Sequence, residues 1–304
     1  MWIFLPVAGI SSLLPLLVGI GAMVGFIAGL FGVSGGFLLT PILIMMGIPP
    51  TVAAASDSCQ IVAGSSSGTA AHFRLGNVDV KLGIVLLLGG LTGGWMGVRV
   101  IKVLRELGVA DFVITITYVV MLGLIGGFML ADGLAGLRRG SPVPKSAVST
   151  RGQVFLNKLP FQMDFPRSQI RHSVFVPFLL CGVVGILAAI LGVGGGLIMV
   201  PMLVYLLRIP MHVAVGTDLF QILFTCAGVT YMQATTNHTV DLVLALLLAA
   251  GSTIGAQIGA RVGRRMRGDQ VKIFLASVVL IVMLKMAAGL LIAPQIHLNP
   301  FKGH

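Results

Sequence analysis

The sequence predicts an all-α polytopic membrane protein built from two inverted-topology repeats of about five helical segments each, with broken or re-entrant helices meeting near the midplane. Three observations carry this. Of 304 residues, 57% are hydrophobic and 10% charged, with a mean hydropathy of +1.04, too few polar side chains to clothe a soluble domain. Several apolar stretches, among them 13–32, 82–98, 112–130, 174–191 and 242–260, approach or exceed the roughly 20 residues that cross about 30 Å of hydrocarbon as a helix. The chain also repeats itself. AGLFGVSGGFLLTP at 28–41 matches AAILGVGGGLIMVP at 188–201, and IPPTVAAASDSCQI at 48–61 matches IPMHVAVGTDLFQI at 209–222. Val78-Asp79 then falls on Val240-Asp241, and GGWMGVRV at 93–100 on GAQIGARV at 255–262.

Taken in order, the N-terminus MWIFLPVAGISSLLPLLVGIG is apolar and lacks the basic start of a cleaved signal, so it reads as the first span. Gly32-Val33-Ser34-Gly35-Gly36 ends that helix. The segment after it, 36–46 and its counterpart 196–207, is short for a crossing, so it forms either a span or one arm of a re-entrant hairpin with the next helix. That next helix carries Ser56, Asp57 and Gln60, and two further spans complete the unit. The first repeat is 1–136, a linker occupies 137–173, and the second repeat is 174–304. Three spans plus a hairpin or five spans are both odd numbers, so the second unit lies upside down relative to the first.

Basic residues set the orientation, because Lys and Arg collect in cytoplasmic loops. With both termini periplasmic in a bacterial inner membrane, Arg74, Lys81, the linker residues Arg138 to Arg171 and the cluster Arg261 to Lys272 are cytoplasmic. Arg99, Lys102, Arg105 and Lys302 are left outside. A parallel duplication is the alternative, since Arg99 and Arg261 occupy equivalent places. The net charge of +11 then reflects topology and attraction to membrane lipids, not nucleic acid. The linker is cytoplasmic, and its amphipathic stretch VFLNKLPFQMDF reads as a surface-lying segment, a small hairpin or a plain tether. Cys59, Cys181 and Cys226 show no metal or redox spacing and read as buried small hydrophobes.

Chemistry is expected first at the glycine runs Gly32, Ser34, Gly35, Gly36 and Gly192, Gly194, Gly195, Gly196. Broken backbone inside a bilayer is tolerated only where protein or water satisfies it, and the restarting helix offers free N–H groups and a positive dipole end to an anion. Tight helix packing is the competing reading. The second pair is Asp57 with Gln60 and Asp218 with Gln221, three apart on one helix face. Intramembrane carboxylates mark function, and such a pair is a candidate for proton coupling, although an Asp following Ser56 or Thr217 could also serve a helix N-terminus. Arg208 and Lys285 are either anion ligands or snorkelling cations. Gly93/Gly97 and Gly255/Gly259 read as packing faces.

Two glycine clusters, each followed by a proline and a Ser/Thr-Asp-x-x-Gln helix, resemble the TauE/SafE family of sulfite and organosulfonate permeases over nearly the whole chain except the linker. The resemblance implies a carrier of sulfite, sulfoacetate or a related small anion. Its motif positions fall on Gly32, Gly35, Gly36, Asp57 and Gln60, and on Gly192, Gly195, Gly196, Asp218 and Gln221. Ser34 against Gly194 departs from symmetry. No enzyme, metal or cofactor is expected. The rivals are an intramembrane hydrolase, because Gly32-x-Ser34-x-Gly36 fits a nucleophile pattern with His72 downstream, and a receptor or scaffold docking through the basic linker.

Overall fold

In the computed structural model, residues 2–31, 35–139, 162–165, 167–168, 170–263 and 268–292 are described. They form two series of five helices, each entered through a two-stranded hairpin. The first series is β1 (Trp2–Leu5), β2 (Ile10–Leu13), α1 (Leu14–Phe31), α2 (Gly36–Met45), α3 (Pro50–Arg74), α4 (Val80–Glu106) and α5 (Ala110–Arg139). The second is β3 (Gln162–Phe165), β4 (Ile170–Ser173), α6 (Phe175–Leu191), α7 (Gly196–Pro201), α8 (Met211–Met232), α9 (Leu242–Gly263) and α10 (Gly268–Ile292). A π-helical turn, Met202–Leu206, continues α7, and another, Gln233–Asn237, continues α8. Among the described residues, five helical stretches are long and apolar enough to cross a membrane, including Val80–Glu106 and Met211–Asn237, so this is an all-α polytopic membrane protein.

The first span does not begin at the N-terminus. Trp2–Leu5 pairs antiparallel with Ile10–Leu13, the chain reversing through Pro6 and Gly9, which sits at φ 66. Proline cannot supply an N–H to a helix interior and only glycine takes that φ freely, so the apolar N-terminus turns back before α1 starts with Pro15 in its first turn. The matching hairpin, Gln162–Phe165 with Ile170–Ser173, falls at the end of the linker. Pro6 and Pro166 have the same spacing as Ala28 and Ala188, so this part of the duplication was present in the sequence.

Helix packing crosses between the halves. Gly21, Gly25 and Gly29 of α1 lie against Leu248, Ser252 and Ala256 of α9, so these two helices run parallel with their backbones nearly touching. Gly89, Gly93 and Gly97 of α4 meet Phe178, Gly182 and Ile186 of α6 in the same way. Glycine permits this because a Cβ at any of these positions would overlap the facing backbone. Two further pairs between the halves run antiparallel. Gly126 of α5 meets Val279 and Leu280 of α10 while Gly123 meets Met283, and α3 crosses α8 with Gly68 against Leu219 and Ile61 beside Cys226.

The turns are placed by the same contacts. At the start of α4, Arg167 Nη1 donates to Gly76 O at 2.8 Å; at its far end, Arg105 Nη1 donates to Asn237 O. The α3–α4 turn and the α8–α9 turn therefore lie at opposite ends of α4. Helix α2 folds back along α3, with Thr40 at Asp57 and Gly36 at Asp57 and Ile61, and the intervening turn uses Gly47 at φ 89. In the second half the equivalent turn holds Arg208 at φ 58, a conformation that strains a non-glycine residue.

Candidate functional site

Three glycines of the second break, Gly192, Gly194 and Gly195, have φ of 72, 72 and 84. Left-handed backbone at these positions favours glycine, stops α6, and lets α7 restart from Gly195 as its cap. Tyr118, fully buried on α5, donates its hydroxyl to Leu191 O and pins the end of α6 across the interface between halves. In the first break Gly32 and Ser34 lie outside the described residues. Gly35 caps α2 and Gly36 opens it.

The two breaks converge on one turn of α3. A Cβ at Gly36 would stand 2.6 Å from Ile61 Cδ1, 2.9 Å from Asp57 Oδ2 and 3.1 Å from Gly192 O. A Cβ at Gly194 would stand 3.1 Å from the same Ile61 Cδ1 and 3.4 Å from Cys226 Sγ. Gly36, Asp57, Gly192 and Gly194 are thus neighbours, although their segments come from both halves. Gly35 and Gly195 instead pack on their preceding helices, against Ala28 and Val24 and against Val184 respectively. Gly196, buried, begins α7.

The carboxylates sit deep inside their helices. Helix α3 starts at Pro50 and α8 at Met211, each after a proline with no side-chain cap, so Asp57 and Asp218 lie about two turns in and do not serve an N-terminus. Both are buried, and Cys226 lies within electrostatic reach of both. Asp57 Oδ2 accepts from Thr40 Oγ1 at 2.7 Å, whereas its Oδ1, like Asp218 Oδ1, has no hydrogen-bond partner among the described residues. The residue equivalent to Thr40 is Val200, so the two carboxylates differ in environment. Gln60 Nε2 donates to Ser252 Oγ on α9 and leaves its Oε1 unpartnered; Gln221 Oε1 accepts from Thr225 Oγ1 at 2.8 Å.

The hydroxyls beside these carboxylates tie the halves together. Asp241 N donates to Ser56 Oγ at 2.9 Å and Asp79 N donates to Thr217 Oγ1 at 3.0 Å. Asp79 and Asp241, aligned in the sequence but assigned no role there, cap α4 and α9 by accepting from Leu82 N and Leu244 N. Each also holds a hairpin tip. Asp79 Oδ2 accepts from Ser168 N and Oγ, and Asp241 Oδ2 from Val7 N and Ala8 N. Arg208, in its turn, and Lys285, on α10, are both exposed.

Residues 17–286 match the family described as "Sulfite exporter TauE/SafE". Among curated proteins, the chain is 26% identical over 256 residues to one named "Probable membrane transporter protein MJ0441" from Methanocaldococcus jannaschii, covering 78% of this chain and 81% of that protein. It is 24% identical to "Probable membrane transporter protein YjnA" from Bacillus subtilis, covering 88% and 96%. A shorter match, 30% identical over 100 residues, covers 33% of this chain and 22% of "Sulfite exporter TauE/SafE family protein 1" from Arabidopsis thaliana. No solved structure matches.

Proposed function

Because the chain belongs to the TauE/SafE family of membrane transporters, we propose that it is a secondary carrier of a small oxyanion, of the sulfite or organosulfonate class, in the bacterial inner membrane. The observation that carries this reading is the convergence of both glycine breaks on the Ile61 turn, beside a buried Asp57 with an unpartnered oxygen. The N-terminus of α2, opened by Gly36, lies at that point, and the N–H groups of its first turn that lack a helical partner suit an oxyanion there. The antiparallel α3–α8 and α5–α10 pairs support an inverted arrangement of the halves, which suits alternating access around a central site.

An anion beside two buried carboxyl groups is repelled unless those groups are neutral or carry a cation. The carrier is therefore proton-coupled in this reading, with Asp57 and Asp218 holding protons while the anion is bound. Gly36, Gly192 and Gly194 form the backbone cradle in this reading, and Gln60 and Gln221 set the helix positions around it.

The test is binding to the detergent-purified protein, read by thermal shift, against sulfite, sulfoacetate, taurine, sulfate, acetate and chloride. Saturable stabilisation by sulfite or a sulfonate is expected, and its loss in Gly36→Ala, where the new Cβ meets Asp57 and Gly192, locates the anion at the breaks. Stabilisation that survives Gly36→Ala removes the site; stabilisation by no anion removes the substrate class.

A further inference from the structure

At the end of α4 bearing the α8–α9 turn, a cavity of about 470 Å³ opens between α4 and the end of α8. Arg99 and Lys102 line it beside the apolar Val98, Val103 and Met232, with Thr236 on the far wall. The Arg99 guanidinium stands 4.4 Å from the centre of the Trp95 ring, which holds the cation in place by stacking. Arg105, further along α4, donates to Asn237 O and so fixes the wall that carries Thr236. Glu106 is the one carboxylate in the lining, and among the described residues no ion pair joins it to Arg99 or Lys102. Two cations that form no ion pair among the described residues, against one carboxylate, therefore face an open, partly apolar cavity at the end of a membrane helix. In the orientation expected from the distribution of basic residues, they also sit on the side where Lys and Arg are disfavoured.

We propose that this cavity binds an oxyanion carried by a lipid, the phosphate of an anionic phospholipid headgroup. Arg99 and Lys102 would hold the phosphate, and Val98, Val103 and Met232 the first part of an acyl chain. A half-exposed Trp95 beside the cations is the amphipathic side chain that sits at headgroup level, and basic pockets between membrane helices suit charged headgroups. A free oxyanion has the same charge chemistry but leaves the apolar wall unused, which is why the lipid is favoured.

The test is native mass spectrometry of the detergent-purified chain with phosphatidylglycerol, with phosphatidylethanolamine of the same acyl composition, and with inorganic phosphate. Wild type should retain phosphatidylglycerol in preference to phosphatidylethanolamine, and Arg99→Ala/Lys102→Ala should lose about 10-fold or more of that retention. Glu106→Gln, a change at an exposed position, should raise it. Equal retention by wild type and the double variant, no preference between the lipids, or no gain in Glu106→Gln would overturn the proposal. Phosphate bound through Arg99 and Lys102 with no lipid retained would reassign the cavity to a free oxyanion and refute the lipid.

Discussion

Asp57 and Asp218 occupy equivalent places in the repeat but not equivalent environments, because Thr40 donates to Asp57 whereas the residue equivalent to Thr40 in the second half is Val200, which has no side-chain donor. Thr40→Val should leave Asp57 Oδ2 without that donor and lower stability by about 1–3 kcal/mol, measured as a fall in denaturation midpoint. Asp57→Asn and Asp218→Asn fix a neutral side chain at each position. In proteoliposomes each should flatten the pH dependence of anion uptake, and an unchanged pH profile in both variants would remove the carboxylates from coupling. At this scale the sequence pointed to Gly36, Asp57, Gly192 and Gly194 through their repetition. It left the capping role of Asp57 open because a helix start after Ile-Pro is ambiguous by one or two turns until the backbone is seen. Asp79 and Asp241 were visible as an aligned pair, but their role depends on hairpin tips far away in the chain.

Among the elements, glycine position separates contact from mere composition. Gly25 on α1 has the Ser252 backbone where its Cβ would go, whereas Gly19 on the same helix has open space. Gly25→Ala should therefore destabilise by about 1–3 kcal/mol through overpacking. Gly19→Ala should leave stability unchanged or raise it by up to about 1 kcal/mol, since alanine is the better helix former. Thermal melting in detergent distinguishes them, and equal effects would contradict the α1–α9 packing. The long helices were legible from hydropathy alone. The N-terminal hairpin was not, because a four-residue apolar strand such as Trp2–Leu5 looks like the start of a membrane helix, and only the pairing with Ile10–Leu13 distinguishes them.

For the whole molecule, the proposed inverted arrangement makes a labelling prediction. In a variant with Cys59, Cys181 and Cys226 replaced by alanine, single cysteines at Leu75 and His238, in corresponding α3–α4 and α8–α9 turns, should react with impermeant maleimide from opposite faces of the membrane. Reaction from the same face would mean a parallel duplication. A second check is the pair Gly123→Cys and Met283→Cys, which the antiparallel α5–α10 contact should allow to cross-link within one chain. By itself the sequence determined that the bilayer is the solvent, that the chain is duplicated, and where its helices break, because composition, periodicity and glycine runs are local properties. Only the tertiary structure decided that each α1-type helix packs on the α4-type helix of the other half, and that the two breaks meet at Ile61. Those contacts join residues far apart in the chain and depend on which backbones can approach closely enough to touch.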